Sequence, residues 1–179
     1  MDNHRHIQNL ALVGFMGTGK TTIGRMVAET LRFAFVDTDE MIEARTGKTI
    51  AEIFASDGEP KFRELESNTV DELASRKKSV ISTGGGLPVF GNNLERLKPH
   101  SLTVCLWSSP EKIFERIRGQ SHRPLLNEPN PLAKIRELLA VREPFYRRAD
   151  VLVNTELRSA REVAQQIIHH FNTARFLHR

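Results

Sequence analysis

Short, continuously apolar runs recur along the chain and are separated by longer amphipathic stretches. Such runs are typical of strands in a parallel sheet that is covered on both faces, because neither face then carries polar side chains. The predicted strands are residues 10–13, 33–36, 80–81, 102–107 and 151–153.

The stretches between these strands have helical spacing. In residues 20–31, for example, Ile23, Val27 and Leu31 lie on one face. Further helices are predicted at residues 41–44, 50–54, 60–74, 110–118, 132–147 and 160–171. Strands that alternate with helices predict an α/β fold, a three-layer α/β/α arrangement around a doubly wound, parallel, five-stranded sheet. We expect residues 1–179 to form a single domain, with ligands beyond the carboxyl ends of the strands.

The amino-acid composition indicates the class of protein and the cellular compartment. Hydrophobic residues make up 39% and charged residues 27% of the 179 positions, which is ordinary for a globular protein. No apolar run approaches the roughly 18 residues of a membrane span, and the polar N-terminus lacks a signal-peptide core. The single cysteine, Cys105, excludes an internal disulfide and a multi-cysteine metal site. We therefore expect a cytoplasmic protein that does not enter a membrane.

The net charge of +4 is spread along the chain, since no five like charges follow one another. Of the 26 basic residues, 18 are arginine, the side chain suited to bidentate binding of phosphate and carboxylate. This favours small anionic ligands over nucleic acid as partners. A nucleic-acid binder remains an alternative on the isoelectric point of about 9.5 alone.

Residues 119–131 interrupt the pattern with glycine, serine, asparagine and three prolines. A loop of this length within a compact domain is typical of a lid or binding loop. We predict a mobile lid at about residues 117–131; a passive surface loop is the alternative.

The clearest motif is Gly-Phe-Met-Gly-Thr-Gly-Lys-Thr at residues 14–21, which matches the phosphate-binding loop G-x-x-x-x-G-K-[ST]. A strand precedes it and a helix follows, so backbone N–H groups and the helix N-terminus can bind phosphate. Lys20 then reaches the β- and γ-phosphates, and the Thr21 hydroxyl binds Mg²⁺. The motif predicts a nucleoside triphosphate without specifying the reaction.

Two further groups follow strands. Asp37 and Asp39 come after the second strand and would suit one carboxylate near Mg²⁺ and one near a substrate hydroxyl; helix N-capping is the alternative. Residues 84–86 are three consecutive glycines after the third strand, where a ligand could touch the backbone directly; a flexible turn is the alternative.

These motifs, taken in order, resemble the shikimate kinase family from about Asn9 to about His169. The resemblance rests on the phosphate loop, on the Asp-Thr-Asp and triple-glycine segments, and on several motifs between and after them. Those motifs are Ile-Ala-Glu-Ile-Phe at 50–54, Asp-Gly-Glu at 57–59, Phe62-Arg63, Arg-Pro-Leu-Leu at 123–126, and Arg142 before Tyr146-Arg147.

The resemblance implies a P-loop kinase that phosphorylates the 3-hydroxyl of shikimate with ATP and Mg²⁺, in aromatic amino acid (chorismate) biosynthesis. It implies that Arg63 and Arg142 clamp the shikimate carboxylate. Asp39 would accept the ring hydroxyls and be the candidate base, with Gly85 and Gly86 beside them. Asp37 would meet Mg²⁺ through water, and Ser82 resembles a reduced Walker-B position.

The resemblance also implies a shikimate-binding helical region at about residues 38–66. Within it, Glu66 would orient Arg63, which helical i, i+3 spacing allows. Phe54 and Phe62 resemble an apolar wall of the pocket, a role compatible with ordinary core packing.

For ATP, the matched positions are the phosphate loop and three arginines. Arg123 resembles a lid arginine that closes over the phosphates and takes part in catalysis with Lys20 and Asp39. Arg116 and Arg158 match contacts to the adenine end; solvated surface charge is the alternative for all of these arginines. The implied ATP-binding set is Gly17, Thr18, Gly19, Lys20, Thr21, Thr22, Arg116, Arg123 and Arg158. The family expectation is a monomer, and residues 172–179 are expected to be disordered beyond the last matched helix.

Two other hypotheses for the function remain open at this point. A P-loop kinase for gluconate or a nucleoside would share Lys20 and Thr21 without needing two arginines at an acidic substrate. A nucleotide-dependent switch would share the phosphate loop, although the chain lacks the Asn-Lys-x-Asp motif that reads guanine.

Overall fold

The computed structural model describes residues 5–119 and 128–177. Its centre is a five-stranded parallel sheet with the strand order β2-β3-β1-β4-β5. The strands are β1 (Asn9–Val13), β2 (Ala34–Asp37), β3 (Ser79–Ser82), β4 (Ser101–Trp107) and β5 (Val151–Asn154). The predicted strand number and the predicted doubly wound α/β class are confirmed.

Eight helices occur in the described residues. They are α1 (Lys20–Leu31), α2 (Thr38–Thr46), α3 (Ile50–Ser56), α4 (Gly58–Leu73), α5 (Asn93–Leu97), α6 (Pro110–Ile117), α7 (Pro131–Tyr146) and α8 (Ala160–Leu177). None of them is both long and apolar enough to cross a bilayer.

The end of α8 corrects one sequence expectation. Residues 172–177 were expected to be disordered but continue the helix to Leu177. Phe171 is fully buried and packs edge-on against Phe33, with ring centroids 5.7 Å apart. This contact holds the C-terminal half of α8 against the domain. The helix therefore continues beyond Phe171 to Leu177.

The helices cover both faces of the sheet. On one face, α1 and α8 pack over Leu10, Leu12 and Val104. On the other, α4 and α5 cover one half of the sheet, and α6 and α7 cover the other half. Burial on both faces explains why the central strands β1, β3 and β4 do not alternate between apolar and polar residues.

The register of the central strands positions the functional segments. β1 pairs with β3 on one side and with β4 on the other. The loop after β1 and the turn after β3 therefore emerge next to each other at the carboxyl edge. Thr83 strengthens this junction, since its N–H and its hydroxyl both donate to the carbonyl of Leu12, at 3.1 and 3.0 Å. β2 and β3 also end level, with Asp37 opposite Ser82.

Candidate active site

The phosphate-binding loop joins β1 to α1 in a conformation that needs glycine. Gly14 has φ of 132°, and a Cβ there would lie 2.3 Å from the carbonyl oxygen of Leu106. Gly19 is the N-cap of α1 and is left-handed, with φ of 98°. The first turn of α1 carries no acidic residue, so the positive end of its dipole faces the loop without a competing carboxylate.

Lys20 lies across this loop and is nearly buried. Its Nζ donates to the carbonyls of Gly14 at 2.8 Å and Phe15 at 2.9 Å. Thr18 also donates to the carbonyl of Phe15, at 2.8 Å. These bonds hold the ammonium at the loop, which limits the side-chain entropy lost when a phosphate binds.

Asp37 and Asp39 lie at the start of α2, beside the loop. Asp37 is the N-cap: its Oδ1 accepts from the N–H of Asp39 at 3.0 Å. The capping alternative is thus confirmed for Asp37, whose second carboxylate oxygen takes no part in the cap. Both aspartates line a cavity of ≈ 330 Å³ together with Lys20, Thr21 and Ser82.

The triple-glycine segment belongs to a turn whose backbone makes several hydrogen bonds. The N–H of Gly84 donates to the Thr38 hydroxyl at 2.9 Å, and the N–H of Leu87 donates to the carbonyl of Gly84 at 3.1 Å. The hydroxyl of Tyr146 donates to the carbonyl of Gly85 at 2.6 Å. The backbone of the turn is therefore held in three ways: by Thr38 at the start of α2, by a bond within the turn, and by Tyr146 at the end of α7.

The predicted substrate-binding side chains surround this turn. A Cβ at Gly84 would lie 2.7 Å from Oδ1 of Asp39, and one at Gly86 would lie 2.6 Å from Nη1 of Arg63. At Gly85 there is room for a Cβ, with Nη1 of Arg142 3.9 Å away. The three glycines allow this close approach because any larger residue at the first or third position would displace Asp39 or Arg63.

Arg63 projects from α4 and is held on several sides. Its Nη1 donates to Oε2 of Glu66 at 2.6 Å, and its Nη2 donates to Oε1 of Glu59 at 2.7 Å. The guanidinium also stacks on the ring of Phe90 at 3.7 Å. Burial raises the pKa of Glu66, and the charge and hydrogen bond of Arg63 act in the opposite direction. The predicted Arg63–Glu66 contact is present.

Arg142 reaches the same turn from α7. Its guanidinium carbon lies 5.5 Å from the ring centroid of Phe15 in the phosphate loop. Burial raises the pKa of the Tyr146 hydroxyl, four residues further along the helix, and the charge of Arg142 acts in the opposite direction. Arg63 and Arg142 therefore approach the glycine turn from two different helices.

The two predicted wall residues differ in exposure. Phe62 is buried in a small cluster with Ile42 and Ile53, whereas Phe54 is 40% exposed. Their rings are in contact, with centroids 4.7 Å apart. Phe62 is thus part of a hydrophobic cluster, which is the core-packing role given as compatible above. Phe54 extends the same apolar surface to solvent.

The remaining ATP-site predictions fall in two groups. Arg116 and Arg158 line a second cavity of ≈ 210 Å³ with Thr18, Thr22 and Thr155. Nη2 and Nη1 of Arg116 donate to the carbonyl and the hydroxyl of Thr155 at 2.6 and 2.9 Å. Arg158 is hydrogen-bonded to Gln166. The predicted lid arginine, Arg123, lies outside the described residues, as does most of the predicted lid.

Three residues of the site were given no role by the sequence reasoning. Thr38 stands between the two aspartates and could have been noticed there. Tyr146 belongs to a motif that carried the family resemblance, but its bond to Gly85 spans 61 positions and has no sequence signal. Phe90 lies in an irregular segment after the glycines, where nothing indicates a stacking partner.

Comparison with known proteins gives a consistent picture. The family model described as shikimate kinase matches residues 16–172. A protein named shikimate kinase from Thermodesulfovibrio yellowstonii is 45% identical over 162 residues, which cover 90% of this chain and 94% of the relative. The one from Caldanaerobacter subterraneus subsp. tengcongensis is 43% identical, with 90% and 95% covered.

Solved structures agree. The structure described as shikimate kinase from Acinetobacter baumannii in complex with shikimate has a TM-score of 0.87 at 41% identity, covering 94% of this chain and 95% of that one. A gluconokinase from Sinorhizobium meliloti 1021 has a TM-score of 0.62 at 16% identity over 97% of both chains, which shows a common fold alone. The family match spans most of the chain, and the chain therefore belongs to the shikimate kinase family.

Proposed function

We propose that this chain transfers the γ-phosphoryl group of ATP to the 3-hydroxyl of shikimate, giving ADP and shikimate 3-phosphate. One observation carries the proposal: the glycine turn lies between the phosphate loop and two guanidinium groups. The Cβ position of Gly85 is 3.5 Å from the N–H nitrogen of Met16 in the loop. An acid held by the arginines at this turn is therefore within reach of a phosphate held by the loop.

Substrate recognition follows from the charges at the turn. Arg63 and Arg142 would bind the shikimate carboxylate, because guanidinium donors match the paired oxygens of a carboxylate. The N–H groups of Gly85 and Gly86 and the carboxylate of Asp39 would bind the ring hydroxyls. The crystallised Acinetobacter relative, which is described with shikimate bound, supports this choice of acid.

Phosphoryl transfer would use the loop and the residues that face it. The bond from the γ-phosphorus to the bridging oxygen of ADP breaks while a bond to the 3-oxygen of shikimate forms. Lys20 and the loop N–H groups stabilise the charge on the phosphates, and Asp39 accepts the hydroxyl proton. Arg123 would add a positive charge from the lid over the transferring group.

The donor set also fits Mg²⁺, a hard cation that prefers oxygen ligands and keeps several waters. The Thr21 hydroxyl would bind it directly, and the Asp37 oxygen not used in the helix cap would meet it through water. When bound, Mg²⁺ neutralises phosphate charge. Arg116 and Arg158 would contact the adenine end of ATP, in the second cavity.

We also infer a monomeric, cytoplasmic enzyme, an inference supported by the family resemblance. Light scattering on the purified chain at micromolar concentration tests the oligomeric state, and a monomer should have a mass near 20.3 kDa. A stable mass of twice that value contradicts the monomer.

The function is tested by ADP release with Mg²⁺ and ATP, alone and with shikimate, quinate or gluconate. Shikimate alone should stimulate release strongly, and phosphorus NMR should place the phosphate on the 3-oxygen. Gluconate is included because a gluconokinase shares the fold. Stimulation by gluconate, or by none of the acids while ATP still binds, would contradict the proposal.

A further inference from the structure

Tyr146 is the last residue of α7 and is buried beneath the glycine turn. Its hydroxyl donates to the carbonyl oxygen of Gly85 at 2.6 Å. Arg142, one helical turn earlier on α7, reaches the same glycine, with its Nη1 3.9 Å from the Cβ position of Gly85. One hydroxyl thus connects the backbone segment after β3 to α7, the helix that carries Arg142.

The bond to Gly85 also orients the backbone N–H group of Gly86. In a planar trans peptide, the C=O of one residue and the N–H of the next point in opposite directions. Fixing the carbonyl of Gly85 on Tyr146 therefore fixes the direction of the Gly86 N–H, on the side away from the tyrosine. The Leu87 bond to the carbonyl of Gly84 fixes the Gly85 N–H in the same way.

The donor on Tyr146 is retained throughout the working pH range. Burial raises the pKa of the Tyr146 hydroxyl to about 12, against the lowering effect of Arg142. A neutral hydroxyl keeps the single proton that it donates to Gly85. The direction of this bond is therefore fixed, from the hydroxyl to the carbonyl.

We propose that Tyr146 is a positioning residue for the acid substrate, because its hydroxyl ties the Gly85–Gly86 peptide to α7, the helix from which Arg142 reaches the same turn. This rests on the proposed function, since both groups are there assigned to shikimate. Tyr146 itself contacts no substrate in this account. Its effect should appear in the binding of the acid and not in the binding of ATP.

The test uses Tyr146→Phe in the full chain, which removes the hydroxyl and keeps the buried ring. We expect the KM for shikimate to rise about tenfold, as for a lost buried hydrogen bond, with the KM for ATP unchanged. Thr103→Val is the matched control, because it removes a buried hydroxyl bonded to Asp150 away from the site. It should lower the melting temperature and leave both KM values unchanged.

A double-mutant cycle adds a second readout. If Tyr146 acts partly through Arg142, its effect on the shikimate KM should shrink in an Arg142→Lys background. If Tyr146→Phe resembles Thr103→Val, or raises both KM values equally, the tyrosine is only structural and the inference is overturned.

The effect of Tyr146 on the backbone of the glycine turn can be measured without any substrate. Amide NMR signals of Gly85 and Gly86 in the ligand-free protein should broaden or exchange faster in Tyr146→Phe and not in Thr103→Val. Unchanged signals would overturn the inference. A wild-type enzyme inactive on shikimate would contradict the proposed function, while these signals would still decide whether Tyr146 orders the turn.

Discussion

Oε2 of Glu66 lies 2.6 Å from Nη1 of Arg63, three positions away on α4, and the carboxylate is fully buried. Glu59 accepts from Nε and Nη2 of the same guanidinium, at 3.1 and 2.7 Å. These bonds use three of its five N–H groups. Among the residues that the structure describes, no partner takes the second donor on either terminal nitrogen, and a bidentate carboxylate needs these two donors.

Replacing Glu66 with Gln should loosen this arrangement. The KM for shikimate should rise about tenfold, because a charge-assisted bond that orients Arg63 is weakened. Stability at neutral pH should change little, because burial disfavours the charged form of Glu66 and raises its pKa, which offsets part of the gain from Arg63. Steady-state kinetics and thermal unfolding check both parts. Glu64→Gln, on the exposed face of α4, is the control; an equal rise in the KM for ATP would contradict the assignment.

Removing Arg142 should affect the two substrates unequally. In Arg142→Ala the KM for shikimate should rise about 100-fold, since hydrogen bonds between charged groups are lost, while the KM for ATP changes less than about twofold. Arg148→Ala, a surface arginine paired with Glu95, serves as the control. Equal effects on both KM values would refute the carboxylate role.

Lys20→Ala should abolish turnover. Its ammonium is preset by the carbonyls of the phosphate loop, and we expect kcat to fall by about three orders of magnitude or more. Circular dichroism should show an intact fold, and Lys112→Ala, an exposed lysine on α6, should retain activity. Substantial turnover by Lys20→Ala would remove the lysine from the mechanism.

Asp150 provides a pH-dependent test of stability away from the site. Burial raises its pKa, but hydrogen bonds from Arg5 and Thr103 outweigh burial and lower it overall. A lowered carboxyl pKa stabilises the fold above the ordinary pKa, and this stabilisation is lost as pH falls through the folded value. Asp150→Asn should therefore lose about 2 kcal/mol of unfolding free energy at pH 7, and this difference should narrow progressively as the pH falls below about 4.

Urea unfolding of both proteins at pH 7 and pH 3 measures this difference. The KM values of Asp150→Asn should match those of the wild type at pH 7, since the residue contacts no predicted site group. A variant as stable as the wild type at pH 7, or a gap that widens in acid, would show that the ion pair with Arg5 does not stabilise the fold.

Local chemistry explains what the sequence could predict. The phosphate loop is a contiguous motif between a strand and a helix, and Arg63 and Glu66 are neighbours by helical spacing alone. The apolar runs marked the central strands because both faces of the sheet are buried there, and the edge strands β2 and β5 each keep one buried residue, Val36 and Val153. These features depend on residues close together in the chain.

Tertiary contacts account for what was missed. α5 has five residues, too few for helical periodicity, and is held by burial of Leu94 and Leu97. The end of α8 depends on the packing of Phe171 against Phe33. The bond from Tyr146 to Gly85 exists only because α7 folds back beneath the turn after β3, a relationship that no local pattern encodes.

The central claim is that this site recognises its substrate by the carboxylate. The most direct measurement compares kcat/KM for shikimate and for its methyl ester, in the wild type and in Arg142→Ala. The wild type should prefer the acid by about 100-fold or more, and this preference should largely disappear in the variant. Equal use of acid and ester by the wild-type enzyme would contradict the account.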